Sequence, residues 1–234
     1  MKKNLLLILL FWGTLSFAQT RTIPYDFPIK PRTDQWKFNS EEEMYNKCQI
    51  PPDILDSLTT EALAKTCLSY PLFGLMNAYN TPQAGFYAVQ QIFNGINALL
   101  ERKDAGNVLL NIYKNMNPTS IDKSWTSSER GEFSESFRFI EILFSQSTIQ
   151  NTLDDEAKKM LLRETKLKYD GKKTIINVYG NIGLQSSLFP AAKIIDKKGL
   201  LKNKKDSINH FLETGQILSE ADLIEIYNQL IVNQ

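Results

Sequence analysis

Thr81-Pro82-Gln83-Ala84-Gly85-Phe86-Tyr87-Ala88-Val89-Gln90-Gln91-Ile92-Phe93-Asn94-Gly95-Ile96-Asn97-Ala98-Leu99-Leu100 is the stretch from which the fold class reads most directly. Thr81 is a good helix N-cap, and Pro82 suits the first helical position, where no backbone N–H is needed. Apolar residues recur at Phe86, Val89, Ile92, Phe93, Ile96, Leu99 and Leu100, the spacing of one helical face. Polar Glu101-Arg102-Lys103 follows, and Asp104 can cap a second helix carrying Val108, Leu109, Ile112 and Tyr113. The pattern predicts a helical hairpin whose first arm runs unbroken from Thr81 to Lys103. Gly85 and Gly95 lie inside that arm, at about 1 kcal/mol each against Ala where exposed. A close helix crossing or plain tolerance would account for them.

Toward the N-terminus the helices become short. Ser40-Glu41-Glu42-Glu43 reads as a capping box, with its acids well placed against the helix dipole. Pro51-Pro52 stops that helix and starts a short one over 53–58. Thr59 or Thr60 caps the next, with Leu63, Cys67 and Leu68 on one face, and Leu72 to Tyr79 reads as another short helix. Elements this short need tertiary packing to persist. Residues 19–37 carry Pro24, Pro28 and Pro31, each of which removes a backbone donor, so an extended arm is expected there rather than a paired strand.

Toward the C-terminus, Thr126 to Glu129 is a second capping box. Phe133, Phe137, Ile140 and Phe144 fall at helical spacing, and Phe139 and Leu143 widen the face, as in a deeply buried helix. Residues 145–151 read as a polar connection, and Asp154-Asp155-Glu156 as a helix start. Residues 168–183 are the least helical in pattern. Thr174-Ile175-Ile176-Asn177-Val178-Tyr179 reads as a short strand, a sheet edge or a long loop. Leu184 to Ile195 returns to helix, with Pro190 kinking it or opening a new first turn. Two more helices follow over 206–214 and 219–232.

The fold class expected is therefore all-α. Apolar helix cores end near Leu100, Leu143 and Ile195, close to the period of HEAT-type repeats. An α-solenoid-like, HEAT-like stack of helical hairpins and a compact multi-helix bundle are the two architectures expected. The organisation read from the chain is a leader over 1–18, an arm over 19–37 and one helical domain over 38–234.

The leader expectation rests on Lys2-Lys3, the apolar run Leu5 to Leu15, and Ser16-Phe17-Ala18 before Gln19, the pattern of a secretory signal peptide. Cleavage after Ala18 would place the protein in the periplasm or outside the cell, with no membrane insertion afterwards. The net charge is +1 and becomes −1 once Lys2 and Lys3 go with the leader, so nothing favours nucleic acid. In an oxidising compartment the pair Cys48 and Cys67 suggests one disulfide, which would stabilise by about 3 kcal/mol in the chain-entropy picture. The other reading is two buried free thiols.

Catalytic motifs are sparse. The chain has one histidine, His210, and no His-Glu-x-x-His, Gly-x-Ser-x-Gly, P-loop or dinucleotide fingerprint. No metal, no cofactor and no catalytic residue is expected. Glu132 and Glu135, three apart, could form an acid/base pair, though a solvated face is the plainer reading. Lys197 to Lys205 is a basic run about a turn. Trp36, Trp125, Tyr25, Phe27 and Tyr179 could stack on sugars or anchor a protein partner, or simply plug gaps between helices. Asp56-Ser57-Leu58 and Asp206-Ser207-Ile208 match an Asp-Ser/Thr-apolar glycosylation pattern.

Phe38-Asn39-Ser40-Glu41-Glu42, Cys48-Gln49-Ile50-Pro51 and Thr66-Cys67-Leu68-Ser69-Tyr70-Pro71-Leu72 together resemble uncharacterised exported helical proteins of Bacteroidetes-type bacteria. The resemblance covers the first half of the chain beyond the leader. It implies surface or periplasmic residence and carries over no functional residue. The expectation is a non-enzymatic binding or scaffold protein with a protein or glycan partner. The alternative is a secreted, carboxylate-dependent hydrolase acting on glycans.

Overall fold

The computed structural model describes residues 20–202 and 204–233, so the expected leader lies outside the described residues. These form an all-α fold. Residues 20–39 contain no helix. Within them the Arg21 N–H donates to the Ser57 carbonyl at 2.8 Å and the Arg21 carbonyl accepts from Thr59 N–H at 2.9 Å. Further along, Tyr25 N–H donates to Thr66 Oγ1 at 2.8 Å and Phe27 is buried.

Three short helices follow, α1 (Glu41–Lys47), α2 (Pro52–Ser57) and α3 (Thr60–Leu68), then a 3-10 helix over Phe73–Ala78. Ser40 caps α1 by accepting from Glu43 N–H, while the Glu43 carboxylate reaches back one residue further, to Asn39 N–H at 2.7 Å. Cys48 and Cys67 are both buried free thiols, and the expected bond between them is not formed. Each packs as a small apolar side chain, and burial pushes both thiols above their ordinary pKa.

The hairpin arm expected to run unbroken is two helices, α4 (Pro82–Ile92) and α5 (Asn94–Leu100), parted at Phe93, whose φ of −129° and ψ of 115° are extended. Tertiary packing overrides periodicity here. The Phe93 ring stacks on Tyr70 with centroids 3.8 Å apart, and side-chain amides take up the backbone groups the break releases. Gln49 Nε2 donates to the Ile92 carbonyl at 2.6 Å and Gln49 Oε1 accepts from Asn94 N–H at 3.0 Å. The Asn94 amide in turn pairs with both backbone groups of Ile50. Helix α6 (Ala105–Asn115) completes the hairpin.

Helix α7 (Ser127–Phe144) begins with a complete Thr126–Glu129 capping box. The stretch expected as a polar connection contains a short helix, α8 (Ser147–Asn151), and α9 (Asp155–Thr174) runs through the region expected to be least helical. Of the stretch read as a strand, edge or loop, Thr174 ends α9, Ile175 lies between the helices, and Ile176 to Tyr179 open helix α10 (Ile176–Lys197). It breaks after its first turn at Gly180, whose φ of 59° and ψ of −175° suit glycine, and keeps Pro190 inside. Helices α11 (Asp206–Thr214) and α12 (Glu220–Val232) close the described chain.

One hydrophobic cluster extends from Phe27 to Leu230. Within it α10 packs against α7, α9, α11 and α12, and α7 touches α3, α4 and α6. No helix among the described residues is long and apolar enough to cross a membrane.

Candidate functional site

Four helices bring ionisable and hydroxyl side chains together at the centre of this packing. Glu141 interrupts Phe139-Ile140-Glu141-Ile142-Leu143-Phe144, a run in which every residue is buried, and its own side chain is 0% exposed. Lys172 comes from the inner face of α9 and is likewise 0% exposed. Its Nζ donates to Glu141 Oε1 at 2.8 Å and Oε2 at 2.7 Å, and to the Gly183 carbonyl at 3.0 Å. Tyr113 from α6 donates to Glu141 Oε1 at 2.7 Å, as does Ser187 from α10 at 2.8 Å, and Ser186 donates to Oε2.

The carboxylate thus accepts from three hydroxyls and the ammonium, which fills its lone-pair sites. The Lys172 nitrogen also lies 5.2 Å from the Phe137 ring and 5.4 Å from the Tyr179 ring, close enough for cation–π attraction. Burial pushes the lysine below its ordinary pKa, and the Glu141 charge pulls it back up. Burial, then Glu141, pushes the Tyr113 phenol well above its own. A lysine lowered by burial beside serines has the makings of a nucleophile–base pair. The bonding runs the other way. Both serine hydroxyls donate to the carboxylate, and Nζ stands 3.4 Å from Ser186 Oγ, longer than its contacts to Glu141. The crevice that reaches Ser186, between Met76, Pro82, Arg138 and Phe189, has only about 10 Å³ of room, the space of a single water.

The carboxylates singled out in the sequence do not converge. Glu132 pairs with Arg32 at 2.7 Å, exposed on both sides. Glu135 pairs with Arg138, which also donates to Asn77 Oδ1. His210 Nε2 lies 3.5 Å from Gln216 Oε1. Within the basic run, Lys198, Lys204 and Lys205 pair with Asp155, Asp196, Asp222 and Glu225. Tyr179 and Phe27 are buried, Tyr25 and Trp36 pack against the core, and Trp125 lies 5.2 Å from the Phe133 ring. Ser57 donates to the Ile54 carbonyl, and a Ser207 hydrogen bond helps hold Asp222 below its ordinary pKa. Among the described residues no three His, Cys, Asp or Glu side chains gather as metal ligands.

An open concavity lined by several side-chain amides lies where α1 faces the α4–α5 break. It is a groove of about 660 Å³. Tyr45 and Ile92 give it apolar surface, and Asn46, Gln49, Gln91, Asn94 and Asn97 give it amides, with Glu41 and Glu42 at one end. Gln49 and Asn94 are fixed by the bonds that close the helix break. Asn97 is held by Gln90 at 2.9 Å. Among the described residues the side chains of Glu42, Asn46 and Gln91 show no hydrogen bond.

The central cluster could have been suspected from Glu141 alone, a carboxylate inside an otherwise apolar six-residue run. Lys172 carried no such signal, and the groove depends on the unforeseen break at Phe93. Compared with known proteins, the chain matches no family model, no curated protein and no solved structure.

Proposed function

We propose that the chain is an exported α-helical protein that binds or scaffolds a protein or glycan partner and does not catalyse a reaction. One observation carries the reading: the convergence of carboxylate, ammonium and hydroxyl groups that most resembles a catalytic centre is sealed, with Glu141 and Lys172 both 0% exposed. An acid or base must reach the proton it transfers, and a substrate larger than water meets neither group. Glu132 and Glu135, the carboxylates a hydrolase would use, are each held by a different arginine. The compact bundle is the architecture we favour over the open stack, because α4 also contacts α11 and α3 contacts α7. In a solenoid each repeat touches only its neighbours.

Export rests on the leader pattern and is tested directly by sequencing the N-terminus of the protein recovered from outside the cytoplasm. Gln19 as first residue is expected, and a chain retained inside with Met1 present would contradict it. Non-catalysis is tested by screening ester and glycoside substrates. No turnover above the blank is expected. Turnover abolished by Glu132→Gln or Glu135→Gln would establish the hydrolase instead.

A further inference from the structure

We infer that the groove between α1 and the α4–α5 break binds a neutral, polyhydroxylated ligand, an uncharged oligosaccharide; this rests on the binding-protein reading and names the ligand class. The groove volume of about 660 Å³ falls within the range of ligand sites. Among the described residues no lysine or arginine lines it, so an anionic ligand finds no counter-charge from them. What lines it suits hydroxyls, which both donate and accept. A side-chain amide offers two donors and an acceptor with two lone pairs, and a carboxylate accepts paired O–H groups.

The capacity left over after folding is what a ligand would use. Gln49 spends both amide protons on the Tyr45 and Ile92 carbonyls, and its Oε1, having accepted once from Asn94, keeps a second lone pair. Asn94 spends one proton on the Ile50 carbonyl and accepts once from Ile50 N–H, leaving one donor and one lone pair. Both are therefore rigid, partly unspent groups, the preorganised kind that bind with least entropy cost. Glu42, Asn46 and Gln91 stand at the rim, exposed. The half-buried Tyr45 ring supplies the apolar face on which the C–H side of a sugar ring can rest.

The test is calorimetric titration of the protein with cellotetraose, maltotetraose, mannotetraose and N-acetylchitotetraose, with tetralysine as a cationic probe and chromatography of each sugar afterwards. At least one tetrasaccharide is expected to bind with Kd below about 1 mM. Asn46→Ala and Gln91→Ala should each weaken it by about tenfold, while Lys197→Ala leaves it unchanged. Both groove variants remove exposed side chains with no described hydrogen bond, so folding is preserved. Circular dichroism checks this. Binding by none of the four sugars, or binding indifferent to both groove variants, would overturn the inference. Binding of tetralysine alone would also overturn it, while leaving a binding protein. Shortened sugars would instead overturn the non-catalytic reading, and the groove would stand as long as its variants lost affinity.

Discussion

A Cβ at Gly85 would lie 2.3 Å from the Met76 carbonyl oxygen and 3.0 Å from the Met76 carbonyl carbon. Of the two readings the sequence left for this glycine, close crossing is therefore the one realised: α4 meets the 3-10 helix backbone to backbone, and backbone cannot swing aside as a side chain can. Alanine at this position gains about 1 kcal/mol of helix propensity and meets an overpacking cost of about 1–3 kcal/mol. The cost should win. Gly85→Ala is expected to lower the urea midpoint, and a midpoint unchanged or raised would mean the two elements have room to part. At Gly95 a Cβ would meet side chains rather than backbone, the Phe93 ring and the Ile50 methyl, but that ring is itself buried and stacked on Tyr70. Glu141 is the other residue whose role is local to its surroundings. With Phe139, Ile140, Ile142, Leu143 and Phe144 all buried around it, a carboxylate has to carry its partners inside with it.

Helix α9 explains where periodicity failed. Its buried face is Leu161, Leu162, Thr165, Lys168, Tyr169 and Lys172, a helical spacing whose inward slots include two lysines and a threonine. Lys168 fits there by pairing with Glu164 at 3.0 Å, and Lys172 by pairing with Glu141. Counted as polar, these residues erase the apolar stripe, so the segment read as non-helical. The β-branched residues after it read as strand for want of a competing pattern. Capping residues were mostly legible because their chemistry is local: Ser40, Thr59, Thr81 and Thr126 each accept from a first-turn N–H, whereas the Asp104 carboxylate makes no cap bond and accepts from the Thr60 hydroxyl instead. The break at Phe93 was not, since it depends on Gln49, more than forty residues away in sequence. The pairing of α7 with α9 gives the element-scale test. Removing one partner of a buried pair leaves the other charge uncompensated, at about 3–5 kcal/mol. Glu141→Leu and Lys172→Met are each expected to destabilise by that order in urea unfolding. The double variant should cost clearly less than their sum. Additive losses would mean that the two side chains act independently.

Over the whole molecule, buried phenols set the response to alkali. Burial raises Tyr70, Tyr113 and Tyr179 above the ordinary tyrosine value. Each keeps its proton when folded at a pH where the unfolded chain releases it, so its stabilising contribution is whole below about pH 10 and lost as pH rises beyond. Lys172, lowered by burial, works in the opposite sense: below about pH 10.4 the unfolded chain holds the extra proton, and stability gains as pH climbs toward that value. Toward alkali, stability should therefore fall above about pH 10, with unfolding accompanied by a rise in tyrosinate absorbance. Tyrosinate appearing fully before unfolding would contradict burial of these rings. At all three scales the Glu141–Lys172 pair is buried, 0% exposed on both sides, and ties α7 to α9. A lysine with a lowered pKa is hyper-reactive when reagents reach it and inert when they do not. The most direct measurement is limited acetylation of the folded protein with acetic anhydride, read residue by residue by mass spectrometry. The expected result is an unmodified Lys172 beside acetylated Lys197 and Lys202, with Lys172 reacting once urea unfolds the chain. Acetylation of Lys172 in the folded protein as fast as, or faster than, the surface lysines would contradict the sealed centre.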